Sequence, residues 1–387
     1  MPSQPHYYFK GLNGLRFFAA MFVVIYHAST FVTAVSAPAV YDTRSYSFFN
    51  NGSTAVDFFF VLSGFLIATL LLNEFADSGN INIKHFYTRR ALRIWPLYYF
   101  AVLLVFAVFP GIAMFTGIEF PATGFLQFLL YLFMLPNLTP FVQGGGLLSP
   151  LWSIGVEEQF YFMVAPLIKH RRQKLAIILC WVIVLKILLN IVAEYFLKES
   201  HHDLAYFILT FRFEVISIGC LGALLIRSSY KNYLYLFFSY SFQLCMFILL
   251  LLILLFNKSI PEAGIPYISS IYVFLFSSAW SGVITGCIFL YIILNVSLNE
   301  KSILKTNNRL LDTLGDISYG IYVYHVIAEL AILKLFKNFF AGTQSIFVTC
   351  TYYFASALLA MAAAYVSYHL LEKRFLKLKY KFAAVGQ

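Results

Sequence analysis

Residues 54–73 read TAVDFFFVLSGFLIATLLLN, twenty residues with one charge, Asp57. At about 1.5 Å of rise per residue, a helix of that length spans about 30 Å, the thickness of a bilayer's hydrocarbon core. Similar apolar stretches recur on both sides of it. They predict ten crossings, at 12–35, 54–73, 94–115, 151–168, 175–196, 205–226, 233–256, 268–294, 316–336 and 345–370. The run Leu126–Leu135 is too short to cross and is followed by Pro136, so it reads as a re-entrant or interfacial piece. The fold class expected is therefore all-α, a polytopic integral membrane protein.

The composition excludes the other classes. Of 387 residues, 61% are hydrophobic and 11% are charged, against about 25% charged in a soluble domain. The 27 Lys and Arg and 17 Asp and Glu cannot coat a soluble globule of this length. Cys180, Cys220, Cys245, Cys287 and Cys350 lie scattered in apolar runs without zinc-finger spacing, and read as small buried hydrophobes.

The basic residues fix an orientation. With the N-terminus in the cytoplasm, 20 of the 27 Lys and Arg fall on the inner side, five fall outside, and Lys186 and Arg212 lie within spans. This positive-inside bias places both termini in the cytoplasm. Counting Leu126–Leu135 as a crossing would invert the basic cluster Lys169–Lys174. The formal charge of +10 suits the anionic inner leaflet. No nucleic-acid module accompanies it. The first span has no cleavage signal and is expected to stay in the protein.

Charges inside spans are costly and are functional candidates by default. Arg16 and His27 lie eleven residues apart, about three turns, on one face of the first span. Arg16 reads either as a cavity residue or as a snorkelling interface charge. His27 reads as a base or as an inter-helix hydrogen-bond partner. Asp57 suits orienting an imidazole, and equally suits a helix start. In Trp152-Ser153-Ile154-Gly155-Val156-Glu157-Glu158, the two carboxylates point about 100° apart, and Ser153 and Glu157 are i,i+4 partners. Arg212 and Glu214 lie at similar depth and offer an ion pair that would lock helices together. His325 is near mid-span behind Tyr319, Tyr322 and Tyr324. Arg89, Arg90 and Arg93 precede the third span, either as a phosphate-binding cluster or as a topology anchor. His201 and His202 lack metal-ligand spacing, and no metal is expected.

Leu12-Asn13-Gly14-Leu15-Arg16 through His27, Asp57–Phe65, Arg89–Arg93, Leu151–Tyr161, Gly315–His325 and Tyr368-His369-Leu370-Leu371-Glu372-Lys373 together resemble the acyltransferase family 3 membrane proteins, the OafA-type O-acetyltransferases. The landmarks run over nearly the whole chain in the expected order. The resemblance implies transfer of an acyl group, usually acetyl, from coenzyme A to a hydroxyl of an exported or lipid-linked glycan in the bacterial cytoplasmic (inner) membrane. The family's arginine–histidine motif falls on Arg16 and His27, its Arg-x-x-Arg motif on Arg90 and Arg93, and its Trp-Ser-x-x-x-Glu block on Trp152, Ser153 and Glu157. It implies an acyltransferase domain over 1–372 and a basic cytoplasmic tail over 373–387, without the hydrolase-like extracytoplasmic domain fused to some members.

Joined to the residue chemistry, the resemblance implies that Arg89, Arg90 and Arg93 hold acetyl-CoA, with Arg16 at the inner mouth of the cavity. His27 would act as general base or as acyl carrier. Asp57, Glu157 or Glu158 would support the imidazole, and Arg212 or Tyr319 would face the oxyanion. The expected partners are acetyl-CoA, the glycan or lipid-linked saccharide and membrane lipids. The outer loops 36–53, 116–150, 197–204 and 257–267 would form the acceptor surface, with Gly144–Gly146 as a lid or a turn. The competing readings are a flippase for a lipid-linked saccharide, O-acylation of a small molecule, and a membrane scaffold without chemistry.

Overall fold

The computed structural model describes residues 9–34, 52–116, 120–121, 124–142, 146–256, 278–335 and 346–382. All the regular secondary structure of these residues is helical. Of the expected outer loops, 257–267, all of 36–53 but its last two residues, and 117–119, 122–123 and 143–145 of 116–150, Gly144 and Gly145 among them, lie outside the described residues. In chain order the α-helices are α1 Leu12–Ala34, α2 Gly52–Ser78, α3 Ile83–Leu103, α4 Phe109–Thr116, α5 Phe125–Leu132, α6 Trp152–Arg171, α7 Leu175–Val192 and α8 His202–Thr210. They continue as α9 Phe213–Leu225, α10 Lys231–Leu234, α11 Tyr240–Phe256, α12 Ser278–Leu298, α13 Arg309–Asp316, α14 Ser318–Leu335, α15 Ile346–Ser367 and α16 Lys373–Lys379.

Seven helical runs among the described residues are long and apolar enough to cross a bilayer, or nine if each of two bent pairs counts as one span. The expected count of ten differs for an identifiable reason. The run Gly146–Leu197 is 52 residues long and contains two of the expected spans, which meet at the 3-10 turn Arg172–Lys174 between α6 and α7. The short run expected to be re-entrant is the eight-residue helix α5, about 12 Å long and too short to cross. Large apolar side chains cover outward helix faces, Phe115 at 92% and Leu236 at 71% exposure among them, which suits lipid rather than water. Of the cysteines only Cys220 is buried. Cys180, Cys245, Cys287 and Cys350 are exposed, because a membrane helix needs no protein core to shelter an apolar side chain.

The chain divides into two compact units. The first draws on 1–19, 46–81 and 156–313, and its centre is the packing of α2 on α9. Two glycines set that contact. A Cβ on Gly64 would overlap the carbonyl oxygen of Ile216, and one on Gly219 would overlap that of Val61. Small residues let two backbones approach this closely, and the Cys220 thiol donates to the Gly64 carbonyl at 3.3 Å.

Charges complete the first unit. The break between α8 and α9 exposes Arg212 at the start of α9. Its Nε lies 3.3 Å from Asp57 Oδ1 of α2, and its Nη1 lies 3.5 Å from Glu214 Oε1. Thr285 of α12 donates to Asp57 Oδ2 at 3.0 Å. Lys186 of α7 lies 3.9 Å from Glu214 Oε2 and donates at 2.7 Å to the carbonyl of Ile208, which at the break accepts from the Phe211 N–H in place of a regular helical bond. It also bonds Asn190. Two cations and two carboxylates thus cancel across three helices, and α12 adds the Thr285 hydroxyl. A sharper break, 80° between Lys231–Phe238 and α11, is covered in the same way. Gln243 donates to the Phe238 carbonyl at 3.0 Å, and its own oxygen accepts from Asn295 Nδ2 at 3.0 Å.

The second unit draws on 20–45, 82–155 and 314–387. Here α14 packs along α15, and the terminal helix α16 packs on α3. Ala28 of α1, Ile332 and Leu333 of α14, and Val348 and Tyr352 of α15 form a buried apolar cluster. Tyr319 donates to the Ile94 carbonyl at 2.9 Å, tying α14 to α3.

Two predictions follow from the first unit's packing. Gly219→Ala is expected to lower stability by about 1–3 kcal/mol or more through overpacking, read as a fall in the thermal midpoint of the detergent-purified chain. An unchanged midpoint would show that α2 and α9 do not pack at this distance. Arg212→Ala leaves two buried carboxylates sharing one cation and is expected to cost about 3–5 kcal/mol. The same thermal assay should show the loss largely absent when Asp57→Asn is already present.

Candidate functional site

The second unit places two histidines in contact. His27 of α1 is half-buried, and its ring centroid lies 4.9 Å from that of the fully buried His325 of α14. Tyr26 meets His27 edge-on at 5.0 Å. His325 Nδ1 lies 2.7 Å from the Tyr322 carbonyl oxygen. A carbonyl only accepts, so Nδ1 carries the hydrogen and Nε2 presents a lone pair. The accessible imidazole is therefore backed by a second one whose tautomer is fixed by its own helix.

Tyr322 is held in turn. Its hydroxyl lies 2.8 Å from the Pro150 carbonyl and 2.8 Å from Ser153 Oγ. Ser153 Oγ also lies 3.3 Å from the Pro150 carbonyl, so the two hydroxyls and that carbonyl form one closed hydrogen-bonded triangle. This links α14 to the start of α6 and engages the Ser153 hydroxyl. Trp152 is half-buried beside it.

Of the three arginines on α3, Arg89 is buried, and its Nη1 donates to the Phe382 carbonyl at 2.6 Å. His85 stacks edge-on against the Phe382 ring at 5.6 Å. Arg89 thereby fastens the chain's C-terminal segment to α3. Arg90 and Arg93 are half-buried and three residues apart, on one face of the helix.

The remaining sequence candidates fall in the first unit. Asp57, Arg212 and Glu214 belong to the ion network. Glu157 Oε2 accepts from Tyr161 at 2.8 Å, and Tyr161 also meets Ser63. Glu158 is buried. Arg16 Nη1 donates to Asn13 Oδ1 at 3.2 Å within α1. In the second unit, the Tyr319 hydroxyl is engaged by the Ile94 carbonyl.

Sequence reasoning passed over two groups. Thr285, the hydroxyl on Asp57, gives no signal in a window of sequence. Glu329 does: it is a carboxylate well inside an apolar span, four residues after His325, and it is 0% exposed. The rule that selected Asp57 and His325 selects it as well.

Comparison with known proteins adds to this geometry. Over 169 residues the chain is 30% identical to the putative peptidoglycan O-acetyltransferase YrhL of Bacillus subtilis, covering 42% of this chain and 24% of the relative. Over 223 residues it is 28% identical to the O-acetyltransferase OatA of Staphylococcus aureus, covering 56% of this chain and 34% of that protein. Over 162 residues it is 31% identical to the peptidoglycan O-acetyltransferase OatA of Listeria monocytogenes, covering 40% of this chain and 23% of the relative. The chain thus spans about a quarter to a third of the length of these relatives. No solved structure gives a significant match. The acyltransferase-3 family model, described as an acyltransferase domain, matches residues 9–369, and the chain belongs to that family.

Proposed function

We propose that the protein transfers an acetyl group from acetyl-CoA to a hydroxyl of a cell-surface glycan, with His27 as the general base. The observation that carries this reading is the half-buried His27 imidazole resting on the buried, tautomer-fixed His325, in a chain of this family. In the proposed step the acceptor hydroxyl gives its proton to His27 as its oxygen attacks the thioester carbonyl carbon. The C–S bond then breaks, and the departing thiolate takes the proton back from the imidazolium. Both substrates end neutral at the reacting atoms, and the imidazole is regenerated.

The donor's phosphates call for cations on the cytoplasmic side. Arg90 and Arg93 share a face of α3 and are assigned that role, whereas Arg89 is committed to the Phe382 carbonyl. The basic helix α16, with Lys373, Arg374, Lys377 and Lys379, packs on α3 and adds positive potential there. The names of the Bacillus and Listeria relatives make peptidoglycan the first acceptor to test.

The test is acetyl-CoA consumption and product acetylation by the purified full-length chain in nanodiscs. His27→Ala is expected to lower kcat by about 10²- to 10⁴-fold, the usual share of a general base. Thioester turnover unaffected by that substitution would exclude His27 from the chemistry. For Arg90→Ala and Arg93→Ala the KM for acetyl-CoA should rise about tenfold or more each, since a charge-assisted hydrogen bond contributes about 1.5–3 kcal/mol, with little change in kcat. Arg89→Ala should act differently, by loosening the C-terminal segment. Limited proteolysis that cuts the tail sooner in this variant than in Arg90→Ala would show the distinction.

A further inference from the structure

Glu329 is fully buried on α14, and neither of its carboxyl oxygens has a hydrogen-bond partner among the described residues. The residues around it are apolar or give it nothing. Ile332 and Leu333 follow on α14, and Ala28, Val348 and Tyr352 share their cluster. Tyr352 donates to the backbone carbonyl of Glu329, at 3.3 Å. An ionised carboxylate in such surroundings costs several kcal/mol. One turn earlier, His325 has the complementary deficit. Its Nδ1 is engaged by the Tyr322 carbonyl, while its Nε2 is buried and unpartnered. Residues at i and i+4 lie on one helix face within side-chain reach. The fixed tautomer leaves Nε2 as an acceptor, and a neutral carboxylic acid supplies one O–H donor. Each group therefore has what the other lacks, although the two are not bonded to each other in the structure.

The geometry points to Glu329 as a positioning residue for the proposed acyl transfer: a neutral acid whose O–H donates to His325 Nε2 and holds that ring beneath His27. No bond is broken in this role, and the proton stays on the carboxyl oxygen while His27 handles the acceptor's proton. The inference rests on the acyltransferase reading for its consequence, but not for the hydrogen bond itself.

Two substitutions separate positioning from packing. Leucine at 329 removes the donor and suits the apolar cluster. Glutamine keeps an N–H donor in nearly the same shape. In full-length protein in nanodiscs, Glu329→Leu is expected to leave the thermal midpoint equal or higher, yet lower kcat about tenfold with the KM for acetyl-CoA unchanged. Glu329→Gln should retain activity within about threefold of the unsubstituted chain. Independently of activity, the ¹⁵N resonance of His325 Nε2 in histidine-labelled protein should move toward the free-acceptor position in Glu329→Leu and not in Glu329→Gln. An unchanged Nε2 resonance in Glu329→Leu overturns the proposal, as does full kcat in that variant or an equal loss in both variants. If the unsubstituted chain shows no acetyl transfer, the functional reading fails, and the ¹⁵N comparison still decides whether the hydrogen bond exists.

Discussion

The contact between Arg212 and Asp57 is the constraint on which much of the first unit depends. In a hydrocarbon environment a lone charge is expelled or paired. Here one guanidinium, 3.3 Å from Asp57 and 3.5 Å from Glu214, takes up charge from two helices at once. It can do so because the helix is interrupted just ahead of it, which leaves Arg212 at the start of α9. The interruption leaves backbone carbonyls without regular helical bonds, and Lys186 reaches one of them from α7. The network is thus as much a repair of a broken helix as a set of ion pairs. The glycine contact between α2 and α9 brings the carboxylate of one helix to the cation of the other.

The second unit treats its buried polar groups differently. Around His27 and His325 the charges of the first unit are replaced by a tyrosine, a serine and one carboxyl, while the unit's buried Arg89 and Glu372 belong to α3 and the C-terminal segment. Hydrogen-bond directions, rather than charge balance, determine the arrangement. The triangle of Ser153, Tyr322 and the Pro150 carbonyl, together with the Tyr322 carbonyl that holds His325, fixes this side of the histidine pair. This contrast suits a division of labour, with one unit held by a network of fixed charges and the other keeping groups that can exchange a proton. A base that must gain and lose a proton works better next to a neutral imidazole than next to a fixed cation, which would hold it deprotonated.

The fold was largely legible because membrane spans announce themselves by length and hydropathy. Residues 54–73, for example, lie wholly inside α2. The breaks were not legible. Neither Phe211–Arg212 nor Ser239 carries a proline or glycine. Both are tolerated because side chains remote in sequence, Lys186 and Gln243, bond carbonyls at the breaks, and a local window cannot contain such partners. The site was legible in part for the same reason. His27 and His325 stand out as polar residues in apolar runs. That they meet each other, and that Asp57 meets Arg212 and Thr285, depends on tertiary packing. Glu329 was legible by rule, although its significance lies in the unpartnered nitrogen one turn away.

The three arginines of α3 show how far a cluster can be read from spacing. By spacing alone, Arg89 pairs with Arg93 as i,i+4 neighbours just as well as Arg90 does as an i,i+3 neighbour. The structure separates them by their partners. Arg89 is buried and donates through Nη1 to the Phe382 carbonyl. Arg90 and Arg93 remain half-buried on the adjoining face. Glu372, which accepts from Ser367, lies within the electrostatic reach of Arg93. A carboxyl group within reach of one of two neighbouring cations offsets part of their mutual repulsion at the membrane edge. The same strip of helix thus presents one arginine to the C-terminal segment and two to the adjoining face, and the C-terminal segment both closes the helix packing and brings a carboxyl group near Arg93.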